Sequence, residues 1–328
     1  MMNKTDKIYI AGHRGLVGSA ILRKLQASGY ENIITRTHSE LDLLDQAAVS
    51  AFFKVEKPDY IFSAAAKVGG IGANSAYPAE FIYKNMMIGF HIVHAAYENS
   101  VKKLLNLGSS CIYPKLAAQP LKEDYLLTGA LEPTNDAYAI AKIAVIKLCA
   151  AYNKQYGTNY ISVMPANLFG PGDTYDLENG HVLPAMIRKF HEAKISGGDN
   201  VVLWGDGSPF REFLYSEDLA DAVVYLMEYK NAVEIGEFIN IGTGTDITIK
   251  DLAELIRKIV YEDAPGRTCK ITWDTAKPNG TPRKLLDVAR LNTMEWKAKT
   301  ELREGIKKAY AAFRENADRK LNGDKNEI

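Results

Sequence analysis

The stretch IYIAGHRGLVGSAILRKL, residues 8–25, decides the fold. Its first four residues form an apolar run of strand length, and from Leu16 the apolar residues recur at helical spacing. Gly12, Gly15 and Gly18 lie at the junction. A tight strand-to-helix turn needs glycine's freedom in φ, a dinucleotide backbone must approach closely, and free N–H groups at the helix start can hold a pyrophosphate. Glycines at this spacing also occur in plain βα turns. The strand before them and the helix after them make dinucleotide binding the stronger reading.

Outward from this loop the alternation continues: strand NIITR, helix QAAVSAFFKVEK, strand YIFSAAA, a helix from about Pro78 to Asn99, strand KKLLNLGSS, a helix from about Asp136 to Tyr156, and strand YISVMPANLFG. Such βαβ repetition predicts an α/β fold with a doubly wound parallel sheet of Rossmann type. Residues 1–170 read as the nucleotide-binding domain and 171–328 mainly as a smaller α/β substrate lobe. A segment near 212–245 returns to the first domain, ending in GEFINIGTGTDITI. The polar tail ENADRKLNGDKNEI is expected to fray.

The chain has 328 residues, and its 40 basic and 40 acidic residues cancel, so no global field favours nucleic acid or an anionic membrane. No segment approaches the roughly 20 apolar residues of a membrane span. The cysteines Cys111, Cys149 and Cys269 show no metal-ligand spacing, so no metal is expected, and they suit reduced thiols in a cytoplasm.

The second strand ends in Arg36, where an NAD site would present a carboxylate to the ribose hydroxyls. Arg14 in the glycine loop can reach the same place, and two guanidiniums suit a 2′-phosphate, so NADP is favoured. Asp42 lies further along, toward the adenine. Tyr138 and Lys142 stand one helical turn apart on one face. A phenol of pKa about 10 serves proton transfer at neutrality when a cation lowers it, and Lys142 supplies that cation. Ser109, ending the preceding strand, is the third member, donating to a substrate carbonyl. Strand-end capping is the bland account of Ser109 and Ser110, as a small core hydrophobe is of Cys111.

In AGHRGLVGSAI, AAAKVGGI, LGSSCIYPK, LEPTNDAYAIAK, NLFGP, WGDGSPFREFL and NGTPRKLLD the chain resembles the extended short-chain dehydrogenase/reductase family, from residue 7 to about 290. Within it the resemblance is to the GDP-sugar epimerase/reductases. It implies an NADPH-dependent enzyme that epimerises C3 and C5 of a GDP-linked 4-keto-6-deoxyhexose and then reduces C4. Ser110 and Cys111 stand where the family's dehydratases carry an Asp-Glu pair, so the thiol replaces the acid/base carboxyl. His181 is implied as the acid on the opposite face, with a suitable unperturbed pKa near 6.5.

The resemblance also carries the cofactor site onto His13, Leu16 and Val17 of the loop and onto His38 and Leu43 after the second strand. Leu107 and Gly108 join Ser109, Ser110, Tyr138 and Lys142; Pro165, Ala166, Asn167 and Leu168 join His181. His38 stands where members often have a second arginine. For the nucleotide sugar it implies Asn167, Val182, Lys189, Trp204, Arg211, Asn279 and Lys284, with Arg211 and Lys284 on the diphosphate and Trp204 offering a stacking face. It further implies a homodimer in which the helices near 78–99 and 136–156 pair into a four-helix bundle. The alternatives are an NAD-retaining nucleotide-sugar 4-epimerase or dehydratase, which Cys111 and Arg36 oppose, and a redox-sensing binding protein, which has no need of Ser109, Tyr138 and Lys142.

Overall fold

Apolar runs placed end to end with amphipathic helices give the computed structural model its first half; the structure describes residues 2–178 and 180–321. In chain order the elements are β1 (Ile8–Ala11), α1 (Leu16–Ala27), β2 (Ile33–Thr35), α2 (Gln46–Glu56), β3 (Tyr60–Ser63), α3 (Ile71–Ala76), α4 (Pro78–Glu98), β4 (Lys103–Leu107), α5 (Asp136–Tyr156) and β5 (Tyr160–Pro165). There follow β6 (Asn167–Phe169), α6 (Val182–Ser196), β7 (Asn200–Trp204), β8 (Phe210–Arg211), β9 (Phe213–Tyr215), α7 (Ser216–Tyr229), α8 (Ala232–Ile235) and β10 (Ile239–Ile241). The chain continues through β11 (Ile247–Thr248), α9 (Ile249–Val260), β12 (Lys270–Asp274), β13 (Arg283–Lys284), α10 (Ala289–Thr293) and α11 (Leu302–Leu321).

Six parallel strands form the central sheet in the order β10-β5-β4-β3-β1-β2. β1, β3, β4 and β5 are buried along their whole length, as helices on both faces require. The chain builds outward from β1 in one direction to β2 and in the other to β3, so a crevice opens beyond the carboxyl ends of β1 and β3, where such sheets bind ligands. The glycine loop sits there.

The expected strand over 160–170 is two strands. The chain leaves the main sheet at Pro165, which has no N–H to donate, and Asn167 pairs instead with Phe213 of β9. This switch carries the chain from one core to the other. The second core packs α6, α9 and α11 together, with Phe190, Leu252, Ile256 and Ile306 fully buried. Small sheets β11-β8-β13 and β12-β7 complete that lobe.

Two details differ from expectation. α11 runs through Glu315 to Leu321, because Ile306, Ala309 and Tyr310 anchor its buried face and the following residues are good helix formers; residues 322–328 lie outside the described residues. Cys269, in the stretch RTCKITW whose alternation reads as a strand, is buried just before β12 and not in it. Among the described residues no helix is long and apolar enough to cross a membrane.

Candidate active site

One cleft of about 1990 Å³ runs between the lobes, from the glycine loop to Trp204. The three loop glycines answer to three different constraints. Gly12 has φ +80°, and a Cβ on it would lie 2.7 Å from the Ala65 nitrogen. A Cβ on Gly18 would sit 2.1 Å from the Gly12 carbonyl oxygen, so this glycine lets α1 pack against the turn. Gly15 caps α1 in an ordinary extended conformation, φ −76°, and its nearest atom to a Cβ is 3.5 Å away. Nothing in the protein demands glycine there. A methyl would instead fill the cleft at the positive end of α1, which is the space a pyrophosphate would occupy, so the loop fits a dinucleotide.

His13 and Gly18 do not line the cleft, whereas Gly12, Arg14, Gly15, Leu16 and Val17 do. His13 keeps a buried Nδ1 without a hydrogen-bond partner, and its pKa is lowered by burial and then by Arg14. Gly18 serves packing, as above. Arg14 is exposed at the rim. Arg36 donates to the Glu56 carboxylate at 2.5 Å and to the Thr35 carbonyl at 2.8 Å, with Phe52 5.3 Å beneath it. Its guanidinium is thus shared with a carboxylate at the place where a 2′-phosphate is expected. His38 lies 3.7 Å from Asp42, which also accepts from the Leu44 N–H, and both line the cleft with Leu43.

At the ends of β4 and β5 the cleft wall comprises Leu107, Gly108, Ser109, Ser110, Pro165, Ala166, Asn167 and Leu168. Asn167 is held by donating its side-chain amide to the Glu212 carbonyl at 2.8 Å. Ser109 starts a turn of 3-10 helix, Ser110–Ile112, and its hydroxyl accepts from the Cys111 N–H at 3.4 Å. That turn brings Cys111 to the cleft while keeping it buried. Tyr138 and Lys142 reach the same place from α5; the Lys142 ammonium donates to the Leu107 carbonyl at 2.7 Å.

Burial dominates the electrostatics. It pushes the Tyr138 hydroxyl above its ordinary range, with a hydrogen bond from Ser109 opposing. It brings Lys142 down to about 8. The Cys111 thiol is likewise pushed up by burial, and the largest opposing charge is Lys284, ahead of Lys142. His181, at the start of α6, is exposed on the cleft wall, and the surrounding walls and then Lys284 push its pKa down.

The expected sugar-nucleotide residues Val182, Lys189, Trp204, Arg211, Asn279 and Lys284 all line the same cleft. Lys189 donates to the Val202 carbonyl at 2.8 Å. Arg211 donates to the carbonyls of Phe210 and Asn279, and Asn279 in turn accepts from the Asp206 N–H at 3.0 Å. Burial lowers Arg211 to about 10.

Sequence reasoning missed two carboxylates here. Glu132 lines the cleft and pairs with Lys115 at 3.0 Å. Glu212 is completely buried and accepts from the N–H groups of Thr243, Gly244 and Leu286. It thereby ties the segments carrying Arg211 and Lys284 together. The available signal was an acidic residue next to Arg211 and flanked by the apolar residues of FREFL.

Residues 8–242 match the model of the NAD dependent epimerase/dehydratase family. The chain is 54% identical over 320 residues to a putative GDP-L-fucose synthase 2 of Arabidopsis thaliana, covering 98% of this chain and 95% of that protein. It is 52% identical to the GDP-L-fucose synthase of Escherichia coli (strain K12), covering 96% and 98%. Among solved structures, a GDP-mannoheptose C4 reductase from Campylobacter jejuni with NADP bound superposes with TM-score 0.87 at 40% identity, over 96% of this chain and all of that one.

Proposed function

Because this chain belongs to the NAD dependent epimerase/dehydratase family, we infer that it converts GDP-4-keto-6-deoxy-D-mannose to GDP-L-fucose, epimerising C3 and C5 and reducing C4 with NADPH. The observation that carries the reading is the meeting of Ser109, Tyr138 and Lys142 with Cys111 and His181 in one cleft. The first three are reductase equipment; the last two are a base and an acid that a simple reductase does not require.

Carbons 3 and 5 are both α to the C4 carbonyl, so loss of either proton gives an enolate whose charge gathers on the C4 oxygen. Ser109 and Tyr138 present hydroxyls to stabilise that oxygen. Cys111 takes the C–H proton as thiolate, and His181 returns one from the opposite face, inverting the carbon. Bound NADPH supplies the hydride for C4. Tyr138 then gives its proton to the C4 oxygen, and Lys142, fixed on Leu107, offsets the charge left on the phenolate. Arg211 suits the diphosphate end of the substrate, and Lys189 takes the place there that the resemblance implied for Lys284, which lines a small cavity with Cys111.

The same reading includes a homodimer and a cytoplasmic location. The outward face of α4 and α5 supports the former: Tyr83, Tyr97, Ile140 and Tyr156 are exposed there, and the Tyr97 and Tyr156 rings stack at 4.2 Å. Three buried free thiols suit a reducing compartment.

The test is incubation with GDP-4-keto-6-deoxy-D-mannose and NADPH in deuterated water, with the product read by NMR. GDP-L-fucose labelled at C3 and C5 is expected. Cys111→Ser should fold and bind NADPH yet give an unlabelled, unepimerised 6-deoxyhexose. Labelling of both carbons by Cys111→Ser at the wild-type rate would make the thiol mere packing.

A further inference from the structure

Each inversion leaves the acid–base pair spent. After Cys111 has taken a proton at one carbon and His181 has given one, the enzyme holds a thiol and a neutral imidazole. The second carbon needs a thiolate and an imidazolium again. The sulfur must therefore lose a proton and the imidazole gain one while the sugar stays bound.

The geometry points to Lys284 as the carrier of that proton. Cys111, His181 and Lys284 line the same cleft, and Cys111 and Lys284 together also line a small cavity beside it, with Glu132 and Asn135. Lys284 ends β13, in register with Arg211 of β8. The neighbouring cations are tethered: Lys142 to the Leu107 carbonyl, Lys189 to the Val202 carbonyl, and Arg211 to those of Phe210 and Asn279. The Lys284 ammonium makes no hydrogen bond or ion pair with the described residues. Its flexible four-carbon stem leaves the nitrogen free to move between two partners.

The electrostatics agree with the placement. Burial lowers the Lys284 pKa, and a buried ammonium brought toward neutrality can both give and take a proton. Lys284 is the largest charge acting against the burial shift of Cys111, and it also acts on His181. Among the described residues, Lys284 is the cation acting on both.

The reset balances in two transfers. The Lys284 amine takes the proton from Sγ, leaving thiolate and ammonium; the ammonium, whose three protons exchange with water, then gives one to the imidazole, leaving imidazolium and amine. No electrons move and no co-reactant is consumed. This rests on the acid–base roles given above to Cys111 and His181.

The test uses Lys284→Arg and Lys284→Met, with NADP⁺ bound so that reduction does not intervene, in deuterated water. Arginine keeps the positive charge but does not deprotonate in a protein. In Lys284→Arg the rate of exchange at one carbon relative to the other should fall by about 100-fold, the usual scale of a lost proton-transfer group, whatever the change in KM. With NADPH this variant should release a singly epimerised 6-deoxyhexose. If Lys284→Arg labels both carbons in the wild-type ratio, the relay is wrong. If Lys284→Arg is normal and Lys284→Met only raises KM, Lys284 is a diphosphate contact and the relay is equally wrong. Failure of the underlying reading has a separate sign: Cys111→Ser exchanging both protons normally, whatever the Lys284 variants do.

Discussion

The Lys142 ammonium donates to the main-chain carbonyl of Leu107 at 2.7 Å, so the last residue of β4 fixes a cation carried on α5 one turn beyond Tyr138. The nitrogen lies 5.7 Å from the Tyr138 ring centre. Sequence reasoning assigned Lys142 the task of lowering the tyrosine's pKa; in the fold both groups are dominated by burial, which raises Tyr138 and lowers Lys142 to about 8. C4 reduction should therefore weaken as pH rises through about 8, where the ammonium is lost. In Lys142→Arg the cation persists, so that alkaline limb should move upward while the maximal rate falls. The measurement is the pH profile of kcat for NADPH oxidation. An unmoved limb would assign the ionisation to another group.

The glycine loop allows a paired prediction. Gly15→Ala adds a methyl in an ordinary backbone conformation facing the cleft, so stability should stay within about 0.5 kcal/mol of the parent while NADPH affinity drops about tenfold or more. Gly18→Ala places its methyl 2.1 Å from the Gly12 oxygen and should cost about 1–3 kcal/mol of stability from overpacking. Thermal melts and NADPH titration separate them. Equal melting losses would mean that Gly15 also serves packing.

The contrast between these glycines shows where sequence is informative. The main sheet was legible because β1, β3, β4 and β5 are predominantly apolar, and β1, β3 and β4 each lead on to a helix with its own period. Tyr138 and Lys142 were legible because helical spacing is local. The break at Pro165 was not, since the apolar run continues through Phe169 and only its pairing partners change, from β4 and β10 to β9. The Arg36–Glu56 pair and the meeting of Cys111, His181 and Lys284 join distant parts of the chain. No period or spacing reports such contacts; they follow from the crossover connections.

Glu212 tests the framework behind the sugar site. Its Oε1 accepts from Thr243 and Gly244 N–H groups at 2.6 and 2.7 Å, and its Oε2 from Leu286 N–H at 2.8 Å. In Glu212→Gln one of these oxygens becomes an NH₂ facing an N–H, a buried mismatch worth about 1–3 kcal/mol. The melting temperature should fall. The KM for the GDP-sugar should rise as well, because Arg211 adjoins Glu212 and Lys284 stands close before Leu286. A lower melting temperature with unchanged KM would restrict Glu212 to stability.

Asp173 gives the final prediction, a pH dependence of stability. Its Oδ1 accepts from the Thr174 N–H at 2.7 Å, but its Oδ2 is buried without a partner, and burial pushes the carboxyl up to about 7. The native state thus holds this proton more tightly than the unfolded chain, whose aspartate titrates near 3.9. The stabilising contribution is complete below the unfolded pKa, declines as pH rises, and is gone once pH passes the folded value of about 7. Asp173→Asn is neutral throughout and escapes the decline. Its melting temperature relative to the parent should therefore improve from pH 5 to pH 8, by roughly 2–4 °C if about 1 kcal/mol survives solvent access to the cleft. An offset of the same size at both pH values would trace the effect to amide packing, and a parent whose relative stability does not fall through neutrality would mean that the Asp173 carboxylate is solvated.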